Sequence, residues 1–143
     1  MTADETGRRI FDAWHDAVTR RDLDALTALY ADDARFESPL ASGVLHGRAA
    51  IRAFFAAGFA APDNGLGRWY RTGVFFCDGR QLLWEYPRVT PDGDQADLVE
   101  VMDLAGGLIA HHRVYWGWAG VKALSALAGR PGNPPAPPGA EAG

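Results

Sequence analysis

The chain has one cysteine, Cys77, in 143 residues. No intrachain disulfide can form, so a reducing compartment is the natural setting. No apolar run approaches the roughly 20 residues that span a bilayer, which excludes a membrane as partner. The opening segment MTADETGRR is polar and acidic and lacks the apolar stretch of a signal peptide. Together these absences point to the cytoplasm. Positive charge is scattered and the net charge is −4, which argues against a surface that tracks phosphates and so against nucleic acid. His, Cys, Asp and Glu residues do not recur at ligand spacing, so no metal is expected. No glycine-rich loop follows a strand, so no nucleotide cofactor is expected either. There is no internal repeat.

What is present is an ordinary globular balance, 48% hydrophobic and 22% charged, at the length of one domain. We place that domain at residues 1–128. Residues 129–143 hold 5 of the 9 prolines and no large apolar side chain, and read as a disordered tail. The chain is rich in aromatics, with 5 Trp, 4 Tyr and 7 Phe, many of them on predicted strands. They are either core or the wall of an apolar pocket.

Thr2 and Glu5 have the spacing of a capping box. Ile10, Phe11, Ala13, Trp14, Ala17 and Val18 then recur at helical spacing to near Arg21. Asp22 can cap a second short helix with Leu23, Leu26, Leu29 and Tyr30 on one side. A third runs from about Arg48 to Phe59, with Ile51, Phe54 and Phe55 on its buried stripe. Gly58, Pro62, Asn64 and Gly65 close it. From Gly67 the period becomes that of strands. RWYRTGVFFC and RQLLWEYPRV flank the hairpin signal Asp78-Gly79, and PDGDQ makes the next turn. ADLVEVMDL and LIAHHRVYWGW flank Ala105-Gly106-Gly107. Residues 34–37 form a short strand apart from these, Pro87 marks a bulge or an edge, and VKALSALAG adds a helical turn. The fold class is α+β, three N-terminal helices packed on a strongly curved antiparallel sheet.

The stretches DLDALTALYADDARFESP, GRAAIRAFF and HHRVYWGW together resemble the nuclear transport factor 2-like superfamily, in particular the ketosteroid isomerases and SnoaL-like polyketide cyclases. The resemblance spans roughly residues 5 to 118. It implies a cone with an apolar pocket between helices and concave sheet, and a homodimer paired through the convex sheet face. The isomerase's general base is an Asp directly before the loop proline, where this chain has Ser38. Its first oxyanion donor is a Tyr on the long helix, matched here by Trp14. Its second is a protonated Asp on the penultimate strand, matched by Glu100. The cyclases' Asp on the last strand would fall near Val114. Of these parts only Glu100 keeps its type, so the ordinary isomerase mechanism is not expected.

Strand alternation then assembles a site. If Glu100 faces the interior, so do Leu98 and Met102, then His112, Val114, Trp116 and Trp118 on the last strand, and Trp84 and Tyr86 on the strand before. A slip of one residue would invert the set. In this register Glu100 and His112 come within hydrogen-bond reach, walled by Trp14, Phe54, Phe55, Trp69, Trp84, Tyr86, Met102 and Trp116. Burial disfavours a charged carboxylate and a neighbouring imidazole favours it, so such a pair can exchange a proton near neutral pH. Glu100 is the expected acid or base and His112 its relay, while Trp14 N–H and Ser38 O–H hold a substrate oxygen. The substrate class is a polyketide, terpenoid or steroid-like compound undergoing isomerisation, cyclisation or dehydration. The competing reading is a self-satisfied ion pair inside a non-enzymatic ligand-binding or dimeric interaction module. Of the remaining polar residues, His15 reads as solvated, His46 as part of an exposed loop, and Asp32-Asp33 as a structural turn. His111, Arg113 and Tyr115 fall on the convex face, the last two at a dimer interface.

Overall fold

In the computed structural model, which describes residues 1–61, 71, 74–88 and 97–118, helix α1 (Ala3–Arg20) opens on its capping box. The Glu5 N–H donates to Thr2 Oγ1 at 3.1 Å and the Thr2 N–H to the Glu5 carboxylate at 2.7 Å. The helix stops where Arg21 turns left-handed, at φ 56°. Asp22 accepts the Ala25 N–H at 3.0 Å and starts α2 (Leu23–Thr27). That helix is shorter than its apolar spacing suggests. Leu29 and Tyr30 leave it, and Tyr30 is already the first residue of β1 (Tyr30–Glu37).

After β1 come β2 (Leu45–His46), α3 (Arg48–Ala60), β3 (Phe76–Cys77), β4 (Gln81–Glu85), β5 (Leu98–Ala105) and β6 (Leu108–Trp116). Among the described residues they form a six-stranded, curved, open sheet in the order β2-β1-β6-β5-β4-β3. The tight turns at Asp78-Gly79 and Gly106-Gly107 produce the antiparallel β3–β4 and β5–β6 pairs. The sheet is mixed, however. β1 lies parallel to β6, with Phe36 opposite His112 and Glu37 opposite Arg113. This pairing seats the first strand inside the sheet, between β2 and β6. Pro87 lies just past the end of β4. The turn at PDGDQ, Trp69, the segment VKALSALAG and the tail 129–143 lie outside the described residues. Among those described, no helix is long and apolar enough to cross a membrane.

One face of the sheet carries the core. Phe36, Leu82, Trp84, Met102 and Ile109 pack there against Ile10, Phe11, Trp14 and Val18 of α1 and Ile51 and Phe55 of α3. The other face carries Arg35, Glu37, Val99, Val101, Asp103, His111, Arg113 and Tyr115. On it Arg113 grips Asp103 with both terminal guanidinium nitrogens, at 2.5 and 3.0 Å. This pair holds the Asp103 carboxyl down at about 2.

Two corrections to the sequence reading follow. His15 is not solvated: it is 2% exposed, between Phe11 and Trp84. It lies four residues beyond Phe11 and so joins the buried helical stripe. Trp118 does not join the inward set, being 68% exposed past the end of β6.

Gly7 marks the closest approach of α1 to the sheet. A Cβ there would sit 2.6 Å from Cys77 Cβ and 2.8 Å from the Phe75 ring. Helix propensity favours Ala over Gly by about 1 kcal/mol, but overpacking costs about 1–3 kcal/mol. We expect Gly7→Ala to lower the urea midpoint despite the gain in propensity, read by circular dichroism.

Candidate functional site

The site is built on β5 and β6, and a bulge aims it. Asp103 pairs with His111 and Leu104 with Ile109, so β6 has one residue more, Ala110, than β5 at that point. Ile109 and His112 are both buried on the inner face as a result, although their numbers differ by an odd step. Past the bulge Met102 faces His112 and Glu100 faces Val114.

Glu100 is 2% exposed and His112 fully buried. Glu100 Oε2 lies 2.5 Å from His112 Nε2, and Glu100 Oε1 accepts the Tyr86 O–H at 3.1 Å. The other imidazole nitrogen, Nδ1, is 2.9 Å from the hydroxyl of Tyr30, which also accepts the Trp14 indole N–H at 3.1 Å. Five buried side chains from α1, β1, β4's end, β5 and β6 thus form one chain of hydrogen bonds. Burial raises the Tyr30 and Tyr86 phenols far above their ordinary range, so both keep their protons.

A cavity of about 50 Å³ opens beside Glu100 and His112. Trp14, Ser38, Phe54, Phe55 and Trp116 line it as the sequence suggests, joined by Phe36, Leu40, Leu98 and Val114. Trp84, Tyr86 and Met102 are not in its lining. Trp84 and Met102 are core behind the wall, Trp84 packing edge-on against Trp14 at 5.3 Å, and Tyr86 reaches Glu100 from the side. Trp14 contributes its ring, but its N–H is committed to Tyr30 and is not a donor for a ligand. Ser38 Oγ accepts the Leu40 N–H at 3.2 Å, which leaves its own proton for a guest. His46 is exposed on β2, and Asp32 pairs with Arg48 at 2.9 Å. Among the described residues no three His, Cys, Asp or Glu side chains gather as a metal site.

Tyr30 is the site residue that sequence reasoning missed. Its apolar neighbours suggested a helix, but it shares parity with Ala34 and Phe36, the inward positions of β1. Arg48, at the start of α3, fixes it by donating to the Tyr30 carbonyl from Nε and Nη2, at 3.1 and 2.6 Å.

The pattern of SnoaL-like domains matches residues 11–112, from the middle of α1 to His112 itself. The chain belongs to the SnoaL-like domain family. This places it in the nuclear transport factor 2-like superfamily, and the folds of solved proteins agree. The SnoaL-like domain superposes with a TM-score of 0.62 on SalBIII, an epoxide hydrolase/cyclase-like enzyme of pyran ring formation in the polyether salinomycin. The two are 24% identical over 82% of this chain and 95% of that one. A nuclear transport factor 2-like protein of unknown function from Burkholderia xenovorans gives 0.63 at 23% identity, over 80% of this chain and 85% of that one. A SnoaL-like protein of unknown function from Burkholderia thailandensis gives 0.65 at 17%, over 82% and 100%.

A second imidazole sits in the SnoaL-like domain beside this chain of bonds. His15 Nδ1 is 2.8 Å from the Phe11 carbonyl, which only accepts, so Nδ1 carries the proton. Among the described residues neither His15 Nε2 nor the Trp84 indole N–H, both buried, meets a hydrogen-bond partner. Burial lowers the His15 pKa from its ordinary 6.5, opposed by the Phe11 carbonyl and the charges of Glu100 and Asp16. The unfolded chain therefore binds a proton that the native one refuses, and stability is lost as the pH falls below 6.5. We expect His15→Phe to lose less stability than wild type over that acid range, measured by urea unfolding at a series of pH values.

Proposed function

We propose that this SnoaL-like domain takes a small, largely apolar molecule and performs cofactor-free acid–base chemistry on it, with Glu100 as the group that moves the proton. The observation that carries this is a buried carboxylate, oriented by His112 and Tyr86, at the wall of a mainly apolar cavity. Such a carboxylate can take a proton next to a carbonyl, or return one to a leaving or epoxide oxygen. Ser38 O–H is the donor available for the oxygen on which charge develops, worth about 3 kcal/mol if well aimed. The reactions that fit are isomerisation, cyclisation or dehydration of a polyketide, terpenoid or steroid-like compound. The likeness to an epoxide hydrolase/cyclase-like enzyme supports that range as an analogy of fold, since this architecture serves many chemistries.

Size limits how the substrate sits. The cavity, at about 50 Å³, is well below the roughly 150 Å³ that accepts benzene. It therefore receives only the reacting end of such a molecule, with the rest beyond the half-exposed Leu40 or the mouth widened. A second reading, ligand binding without turnover, is favoured by one feature: Glu100 and His112 already satisfy each other and two tyrosines.

Thermal stabilisation by a panel of hydrophobic ketones and epoxides, followed by turnover assays on the binders, separates the two. For the enzyme we expect Glu100→Gln to keep the ligand-induced shift in melting temperature and to lose about 10²–10⁴ in kcat. Equal shifts with no turnover in either protein would leave a binding module.

We propose further that the outer sheet face pairs with a second copy of the chain. Phe76 and Tyr115 are 57% and 54% exposed there, beside the half-buried Leu83, Val99 and Val101. Val101→Glu is expected to convert a dimer to a monomer in sedimentation velocity with the circular dichroism unchanged.

A further inference from the structure

We infer that Tyr30 is a positioning residue that fixes the tautomer of His112, and thereby leaves Glu100 as the only proton acceptor of the pair. Tyr30 has no solvent exposure. Its hydroxyl lies 3.1 Å from Trp14 Nε1 and 2.9 Å from His112 Nδ1. An indole N–H only donates, so the phenol oxygen accepts from Trp14 and its own proton must go elsewhere. Among the described residues the acceptor in reach is His112 Nδ1. Leaving that buried O–H unpaired would cost free energy that no other contact returns.

Nδ1 therefore holds a lone pair and Nε2 the proton, because the bond made by one ring nitrogen sets the state of the other. The Nε2–H points at Glu100 Oε2, 2.5 Å away. The alternatives fail on Tyr30. An imidazolium, or a neutral ring accepting from a protonated Glu100, places a hydrogen on Nδ1. The Tyr30 oxygen would then face two donors with its own proton stranded.

The consequence concerns which group does the chemistry. In this tautomer neither ring nitrogen has a free lone pair: Nδ1 is filled by Tyr30 and Nε2 is protonated. Glu100 keeps lone pairs beyond those taken by His112 and Tyr86 and lines the cavity. A proton leaving a substrate goes to the carboxylate, and His112 steadies that carboxylate as a donor instead of relaying the proton. This last step rests on the function proposed above; the tautomer itself does not.

Long-range ¹H–¹⁵N spectra of the uniformly labelled protein at neutral pH read the tautomer directly, with His112→Asn identifying the resonances. We expect an unprotonated Nδ1 and a protonated Nε2 in wild type. Trp14→Phe, which keeps the Tyr30 hydroxyl, should leave that pattern in place. Tyr30→Phe should release Nδ1, so that a ring protonated there appears in the spectrum, where wild type shows none. If the ketone and epoxide screen yields a substrate, Tyr30→Phe should also lower kcat about tenfold or more at similar KM. A proton on Nδ1 in wild type overturns the inference, as does a Tyr30→Phe ring that keeps the wild-type pattern of protons. Failure of Glu100→Gln to reduce turnover would overturn the proposed function while leaving the tautomer result intact.

Discussion

The buried hydrogen-bond chain from Trp14 through Tyr30, His112 and Glu100 to Tyr86 is the constraint around which the molecule is arranged. Its links join residues 16, 82, 12 and 14 positions apart in sequence, so each one ties a different pair of elements. A polar network in a low-dielectric interior is stabilising only when every member is satisfied. Helix α1 must therefore sit at one depth over the sheet, where Trp14 can reach Tyr30. Gly7 allows that depth two turns earlier on the same face of the helix, by admitting the side chains of Phe75 and Cys77 against the helix backbone. β1 must lie parallel to β6 in the register that sets Phe36 beside His112.

The arginines of α3 serve the same end from outside. Arg48 donates twice to the Tyr30 carbonyl and pairs with Asp32, while Arg52 reaches Asp24 at 2.7 Å and Thr27. Surface ion pairs of this kind contribute little to stability singly. Here their geometry matters more than their energy. They pin the turn between α2 and β1, which is where the backbone must deliver the Tyr30 ring inward. Inner and outer faces of the sheet thus divide the work: one carries a hydrogen-bonded polar chain among aromatic rings, the other a half-buried network of Arg113, Asp103, His111 and Glu37 flanked by apolar side chains.

Local chemistry made much of this legible in the sequence. The capping box at Thr2 and Glu5, the cap at Asp22 and the Asp78-Gly79 turn are short-range signals and appear where the sequence places them. Parity along β5 correctly put Glu100 and His112 on one face, and their closeness follows from adjacent antiparallel strands. The remainder was hidden for non-local reasons. Nothing within the stretch around Tyr30 says that β1 will pair with a strand some eighty residues away, so Tyr30 looked like the end of a helix. His15 looked solvated because polarity was weighed above its four-residue spacing from Phe11. The free volume beside Glu100 depends on how Phe36, Phe54 and Trp116 pack, which spacing does not encode.

The extra residue at Ala110 has a consequence of its own. The imidazole faces inward because Ala110 is taken up in the bulge and stays out of the pairing. Were Ala110 to pair with Asp103 instead, strict alternation would carry the imidazole to the outer surface with no change in the sequence. The polarity of the interior is written in strand register as much as in side-chain identity. Over evolutionary time, changes that shift the pairing beside this turn would reshape the chemistry of the cup more abruptly than most replacements could.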